Sequence, residues 1–310
     1  MTAGGAGTAG KDLARWLFVA RIPPPIKSPG DADAFEAFRQ KMGDFGYVEG
    51  KNLLIESRYA EGLLDRLPAF AKELVLFPSD VIVARATPAI AVAQRATTTI
   101  PIVMSPSTDP IGSGFVKSFA HPGGNITGVA NLYGDMTAKS VEVLHTVLPG
   151  AKKIAVLMSA NPTHPPLYEV ARVGAQSLGL TTVPILAPTP DDLDGAFQEV
   201  VSANCDALFV LADTMRPTIV PLAAKFRIPT IFQVSLFVDA GGLASYGANV
   251  QMMLRMAAQY VNKIFKGANP ADLPVEQPTT FELVLNLKTA KSLGVSLPES
   301  VVLRADRVIE

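Results

Sequence analysis

The chain has 310 residues, a formal net charge of −1 and only 18% charged residues. Its length exceeds the usual size of one compact core, so two domains of ordinary size are expected. The near-neutral charge argues against nucleic acid or an anionic membrane surface as the main partner. Although the mean hydropathy of +0.28 is high, no apolar run approaches the roughly 18 residues of a membrane helix. The apolar residues are therefore expected in strands that are buried on both faces.

The sequence contains few of the residues and motifs that catalysis or metal binding would require. Cys205 is the single cysteine, which excludes an intramolecular disulfide and a cysteine-based zinc site. The three histidines, His121, His145 and His164, are scattered and have no glutamate at metal-ligand spacing. The chain also lacks a Gly-x-Ser-x-Gly elbow, a phosphate-binding glycine loop with lysine and a dinucleotide fingerprint. We therefore expect no enzyme, no metal and no cofactor.

The first residues give a separate expectation. Residues 1–15 are rich in glycine and alanine and are predicted to be disordered. They lack the basic start and apolar stretch of a secretory signal, so by themselves they indicate a cytoplasmic protein or one that is already processed.

Strand-loop-helix units follow in two consecutive blocks that break near residues 129–136. In the first block, strands are predicted at Trp16 to Ile22, Leu53 to Arg58, Val81 to Ala84 and Ile102 to Met104, and helices at Asp31 to Gly43, Leu67 to Phe77, Ala89 to Ala96 and after Pro110. In the second, strands are predicted at Ile154 to Met158, Thr182 to Leu186, Ala207 to Leu211 and Thr230 to Phe232, and helices at Thr137 to Leu148, Pro166 to Leu178 and Asp191 to Val201. This alternation predicts an α/β protein with two doubly wound lobes, each on a parallel central sheet.

The remaining residues are too few for a third domain. They contain an amphipathic helix with Met253, Met256, Tyr260 and Ile264 on one face, a strand from Phe281 to Leu285 and a helix from Leu287 to Leu293. We expect them to complete both lobes, with residues 16–131 and 246–274 in lobe 1 and residues 132–245 and 275–310 in lobe 2.

Polar loops at the carboxyl ends of the predicted strands are the candidate binding site, because ligands of open parallel sheets bind at that edge. The predicted ligand-binding residues are Arg85, Ala86, Thr87, Ser105, Ser107, Ser159, Asn161, Asp213, Thr214, Gln233 and Ser235. Thr87 precedes Pro88 and could serve either as a structural helix cap or, with the helix N-terminus, as a carboxylate site. Asp213 could pair with an ammonium group or cap a helix. Asp109, before Pro110, is expected to close a turn.

Several motifs, in order along the chain, resemble the solute-binding subunits of ATP-binding-cassette (ABC) importers, in the branch that includes tryptophan and tyrosine binders. They are Phe38-Arg39-Gln40, Gly46-Tyr47-Val48-Glu49-Gly50-Lys51-Asn52, Ile100-Pro101-Ile102-Val103 with Asp109-Pro110, Pro122-Gly123-Gly124-Asn125-Ile126-Thr127-Gly128, Ala240-Gly241-Gly242-Leu243-Ala244-Ser245-Tyr246-Gly247 and Leu273-Pro274-Val275-Glu276-Gln277-Pro278-Thr279. The resemblance covers residues 30 to 310. It implies a type I periplasmic-binding fold with three crossovers and a ligand cleft between the lobes.

The same resemblance implies a small-molecule ligand, ABC permease membrane subunits as partners and a periplasmic or membrane-anchored location, although no signal peptide is visible. We expect a monomer that does not bind nucleic acid. Two alternatives remain: a ligand-sensing regulatory domain, which would need a helix-turn-helix that residues 1–15 cannot supply, and an α/β enzyme that uses the same cleft. An amino acid or small carboxylate is the favoured ligand. Because the cleft loops contain no aromatic residue, an aromatic ligand would need Phe237 or Tyr246.

Overall fold

A computed structural model describes residues 15–21, 29–60, 63–76, 78–131, 133–212 and 216–310. In these ranges the strands are β1 (Arg15–Arg21), β2 (Leu53–Tyr59), β3 (Val81–Ala84), β4 (Ile102–Ser107), β5 (Ile126–Ala130), β6 (Lys153–Met158), β7 (Thr181–Leu186), β8 (Ala207–Val210), β9 (Thr230–Phe232), β10 (Ala244–Ala248), β11 (Phe281–Asn286) and β12 (Arg307–Ile309). The α-helices are α1 (Pro29–Asp44), α2 (Leu67–Leu76), α3 (Thr87–Ala96), α4 (Tyr133–Val147), α5 (His164–Ser177), α6 (Leu193–Ser202), α7 (Arg216–Lys225), α8 (Leu236–Asp239), α9 (Val250–Phe265), α10 (Leu287–Leu293) and α11 (Glu299–Val302).

The first sheet has the strand order β2-β1-β3-β4-β5, and all of its pairs are parallel. All four residues of β3 are buried, because helices cover both faces of the sheet. Val83 and Val103 pack into the core on the side of α1 and α9, whereas Ile82 and Ile102 pack into a second core with residues of α3. A continuous apolar run is what such a strand requires.

The second sheet has the order β12-β11-β10-β9-β8-β6-β7. Its pairs are parallel except for β10 with β11, which is antiparallel. The exception follows from the path of the chain. β10 ends at the edge of its sheet that faces the first sheet, and the following helix, α9, packs against the first sheet. When the chain returns, β11 starts from the edge at which β10 ended and therefore runs antiparallel to it. The predicted α/β class with two doubly wound lobes is confirmed, with parallel pairing dominant in both sheets.

The chain passes between the two sheets three times. The first passage joins β5 to α4, and the second joins β10 to α9, which packs against α1, β4 and β5. The third follows residues 275–277 along β5, where the Ala130 N–H donates to the Glu276 carbonyl at 2.9 Å, before β11 begins in the second sheet. We propose that the lobes divide at these passages, which keeps all of β10 in the second lobe and moves the expected boundary from 245/246 to residue 249.

Some local predictions were wrong or incomplete. Residues 110–115 form turns and not a helix, because Asp109 Oδ1 accepts the Gly112 N–H at 2.8 Å and closes the chain there. Strand β4 continues to Ser107, and β5, β10, β12, α7, α8 and α11 were not predicted. The expectation of N-terminal disorder falls on residues 1–14, which lie outside the described ranges, and on Arg15, which begins β1. Among the described helices, none combines the length and apolar character needed to cross a bilayer.

Candidate functional site

A cavity of about 700 Å³ lies between the lobes. On the first lobe it is lined by the start of α3, the loop after β4 and the end of β5, which contribute Thr87, Thr108, Asp109, Phe115, Phe119 and Asn131. On the second lobe it is lined by the first turns of α4 and α5, which contribute Gly134, Asp135, Pro162, Thr163, Leu167 and Val170. The cavity therefore opens at the carboxyl ends of β3 and β4, the sheet edge predicted to bind a ligand.

Three predicted site residues carry buried hydroxyl groups that make no hydrogen bond to the described part of the chain. The exposed fractions are 2% for Thr87, 1% for Ser105 and 0% for Ser107. Buried hydroxyls in folded proteins nearly always have a hydrogen-bond partner. Because these three hydroxyls at the ends of adjacent strands have none, we infer that their partner is a molecule from outside the chain. This cluster is the main evidence that the edge binds a ligand.

The start of α3 leaves one backbone donor at the cavity. Ala86 has φ +71° and precedes the helix, and its carbonyl accepts the N–H groups of Ala89 and Ile90. Pro88 has no N–H, and the Ala86 N–H donates to the Pro106 carbonyl at 3.1 Å. Within the described residues, only Thr87 thus keeps an unused N–H in this turn. The Thr87 hydroxyl does not cap the helix, so the purely structural role considered from the sequence is absent.

Arg85 lies at the end of β3 and is half-buried. It forms no hydrogen bond or ion pair with any residue that the structure describes. Burial lowers the pKa of Arg85, and an electrostatic interaction with Tyr133, the first residue of α4, opposes this shift. Burial in turn raises the pKa of Tyr133 to about 12, an effect that the positive charge of Arg85 opposes. An arginine side chain stays charged in proteins, so Arg85 places a positive charge, unpaired among the described residues, near Tyr133 of α4.

Ser159 and Asn161 build the N-terminus of α5. The Ser159 N–H donates to His164 Nδ1 at 2.9 Å, so the imidazole proton resides on Nε2, which donates to the Ala212 carbonyl at 3.2 Å. Asn161 Oδ1 accepts the N–H of Thr163 at 3.2 Å and its hydroxyl at 3.0 Å. These side chains are held by local contacts, and the cavity wall beside them is formed by Pro162 and Thr163.

Gln233 also holds Ala212. Its Oε1 accepts the Ala212 N–H at 2.9 Å and its Nε2 donates to the Thr137 hydroxyl at 2.8 Å. Ser235 is buried at the start of α8, where its carbonyl accepts two N–H groups of that helix. Gln233 and His164 thereby fix both backbone groups of the residue that precedes Asp213. Asp213 and Thr214 themselves lie outside the described residues.

The aromatic residues on the cavity wall differ from those suggested by the sequence. Phe237 is buried against Phe232, with ring centroids 4.5 Å apart, and Tyr246 packs against Phe281. Phe115 and Phe119 line the cavity instead. They were missed because residues 110–120 were interpreted as a helical connection, although this segment follows β4 directly and so had to lie at the cleft edge.

Comparisons with known proteins agree with this arrangement. Residues 21–309 match the family model described as ABC transporter substrate binding protein. The chain belongs to this family of substrate-binding proteins. It is 27% identical to a tyrosine-binding protein of Clostridioides difficile strain R20291, over 87% of this chain and 79% of that protein. The resemblance found in the sequence is confirmed.

Two solved structures are similar over almost their whole length. One is an ABC domain from Streptococcus pneumoniae in complex with L-Trp, with 28% identity, a TM-score of 0.85 and coverage of 96% of this chain and 100% of that one. The other is a conserved domain protein from Vibrio cholerae, with 29% identity, a TM-score of 0.85 and coverage of 95% and 99%. This substrate-binding protein therefore has the type I periplasmic-binding fold. Its described residues contain no cluster of three or more histidine, cysteine or acidic side chains that could hold a metal ion.

Proposed function

We propose that this substrate-binding protein captures an amino-acid-like ligand outside the cytoplasm and delivers it to ABC permease subunits, acting as a monomer and without chemistry of its own. The observation that carries the proposal is the set of buried, unpartnered hydroxyls of Thr87, Ser105 and Ser107 beside a cavity between two lobes. Buried hydroxyls are usually paired, and what supports a binding site here is that three without partners lie at the ends of two adjacent strands and that one of them, Thr87, lines the cavity.

The carboxylate of the ligand is assigned to the first lobe. Hydroxyl groups and the unused N–H of Thr87 are hydrogen-bond donors, and the N-terminus of α3 adds a favourable dipole for a negative group. The ammonium group is assigned to Asp213, a prediction from the sequence alone. Ligand ends held by different lobes would stabilise the closed arrangement over the open one, because only closure satisfies both ends.

The rest of the ligand is assigned to the apolar part of the cavity. Phe115 and Phe119 line it from the first lobe, and Pro162, Leu167 and Val170 line it from the second. A volume of about 700 Å³ is within the range of small-molecule sites and exceeds the needs of a small amino acid. An aromatic or large aliphatic side chain fits this surface. The ligands named for the similar proteins, tyrosine and L-Trp, have that chemistry.

The test is a thermal-unfolding screen over the twenty amino acids, aromatic acids and sugars, followed by calorimetry of each compound that stabilises the protein. A ligand that binds only the native state raises its stability by roughly 2.7 kcal/mol at 100 times the dissociation constant. We expect stabilisation by amino acids with large apolar side chains and recovery of the unchanged compound after incubation. Stabilisation by sugars alone would contradict the carboxylate assignment, and turnover of a bound compound would contradict the absence of chemistry.

A further inference from the structure

We infer that Arg85 selects the ligand by charge, because its guanidinium forms an ion pair with the carboxylate of the ligand. The inference rests on the proposed function and adds a specificity-determining residue. It narrows the ligand class to free carboxylic acids and excludes their amides, their esters and neutral solutes of the same shape.

The position of Arg85 places it among the unpartnered hydroxyls. Ala84, the last residue of β3, pairs with Met104 of β4. The residues that follow this pair are Arg85, just after β3, and Ser105 of β4. Thr87 follows two residues later, and its hydroxyl lies on the cavity wall. Arg85 and the uncharged donors therefore follow the paired residues of two adjacent strands, and Thr87 among them lines the cavity. The inference places the guanidinium within reach of an anion that is bound there.

The charge of Arg85 lacks a counterion in the described part of the chain. By contrast, the half-buried Arg58 is paired with Glu73 at 2.6 Å and with Glu56 at 3.1 Å. The described carboxylates on the cavity wall, Asp109 and Asp135, are exposed. A half-buried cation without a partner is unfavourable, and an anion that enters the cavity removes this cost.

The hydroxyls alone cannot provide this selection. A serine or threonine hydroxyl donates equally to a carboxylate oxygen and to an amide carbonyl. A guanidinium distinguishes the two, because it forms charge-assisted and often bidentate hydrogen bonds with a carboxylate. Recognition of the acid by its charge thus depends on Arg85.

The test compares acid and amide binding in three proteins by calorimetry: the wild type, Arg85→Gln and the control Arg304→Gln. The probes are L-tryptophan, L-tyrosine and 3-phenylpropionate, each with its amide. Arg304 is exposed and does not line the cavity, so Arg304→Gln changes the net charge equally while solvent screens its effect. In the wild type we expect the acid to bind about 10- to 100-fold more tightly than the amide, the range of a charge-assisted hydrogen bond.

In Arg85→Gln the acid should lose that advantage and bind within a few-fold of its amide, whereas Arg304→Gln should keep it. Equal binding of acid and amide by the wild type, or an unchanged preference in Arg85→Gln, overturns the inference and leaves the proposed function intact. Failure of all three acids to bind the wild type overturns both. Thermal unfolding without ligand checks the fold of Arg85→Gln. If Arg85→Gln is unfolded, Arg85→Lys is measured in its place. The preference of Arg85→Lys for the acid over the amide should be lower than that of the wild type but higher than a neutral side chain would give. An acid preference equal to that of the wild type would count against the ion pair.

Discussion

Gln233 donates a 2.8 Å hydrogen bond to the hydroxyl of Thr137, and both side chains are buried. The bond ties β9 to α4, while the other end of the amide accepts the Ala212 N–H. The Gln233→Leu substitution should leave the Thr137 hydroxyl and the Ala212 N–H without partners in the interior. We expect a loss of about 2 to 4 kcal/mol in the free energy of unfolding, measured by urea denaturation.

Gln94→Leu is the matched control for that measurement. Gln94 donates one bond, to the Gly114 carbonyl at 2.8 Å, and is only half-buried, so its loss should cost about 1 kcal/mol or less. If Gln233→Leu and Gln94→Leu lost the same free energy of unfolding, the buried hydrogen bonds of Gln233 would contribute no more to stability than the single bond of Gln94.

The unpartnered hydroxyls predict an unusual combination of effects. Thr87→Val, Ser105→Ala and Ser107→Ala each remove a buried group that makes no bond in the described structure, so the unliganded protein should keep its stability or gain some. The same variants should bind the ligand less tightly, by roughly 0.5 to 1.5 kcal/mol for each hydrogen bond lost. Thermal unfolding with and without ligand measures both quantities.

Thr137→Val separates this behaviour from a general effect of removing a buried threonine hydroxyl. Thr137 is as buried as Thr87, but its hydroxyl accepts from Gln233, so the variant should lose stability without ligand. A loss of stability in unliganded Thr87→Val would instead assign its hydroxyl a structural role.

Much of the architecture was accessible from the sequence. The continuous apolar run of β3 and the polar loops after β3 and β4 predicted both a buried parallel strand and the edge at which the cavity opens. The family motifs supplied the fold and the crossovers. Strand β5 escaped prediction because its central residue is Gly128, which strand propensity disfavours, and because it directly follows the loop residues Gly123, Gly124 and Asn125. The tertiary contact of β5 with β4 decides its structure.

The site was predicted less completely, because the sequence identifies loops but not which side chains are already occupied. Gln233 and Asn161 were predicted to contact the ligand, yet their side chains bond to backbone and hydroxyl groups of the same half of the molecule. Conversely, Arg85 was grouped with Thr87 as one helix-end site, and only the structure reveals that its charge is unpaired among the described residues. Phe115 and Phe119 reach the cavity because the chain turns after β4, and the spacing of apolar residues in the sequence does not predict that turn.

Gly128 is required where β5 meets β4. Its φ is +124°, and a Cβ at this position would lie 2.6 Å from both the N and the O of Met104. These are backbone atoms of a central strand and cannot move aside, so Gly128→Ala should destabilise the protein by about 3 kcal/mol or more. Chemical denaturation measures the effect.

Gly195→Ala provides the contrast for Gly128→Ala. Gly195 lies on the exposed side of α6, and a Cβ there would meet nothing within 4 Å. Because alanine is the better helix former, this variant should gain up to about 1 kcal/mol. A small or favourable effect of alanine at both positions would contradict the packing argument for Gly128.

Asp206 predicts a pH-dependent contribution to stability. Its Oδ2 accepts the N–H groups of Lys152 at 2.8 Å and Lys153 at 2.9 Å, and these bonds hold the pKa of the carboxyl below its ordinary value of 3.8. A depressed pKa means that the folded state favours the carboxylate. The stabilisation is therefore complete above the ordinary value and is lost as the pH falls through the folded value.

Asp206→Asn should accordingly be less stable than the wild type at pH 7, and the difference should shrink toward pH 3, as measured by urea denaturation across that range. Because Asp206 is exposed, the difference at pH 7 should stay below about 1 kcal/mol. Asp194→Asn breaks only an exposed pair with Lys225 and should change stability little at either pH. A difference for Asp206→Asn that remains constant from pH 7 to pH 3 would mean that the carboxylate charge contributes nothing at this turn.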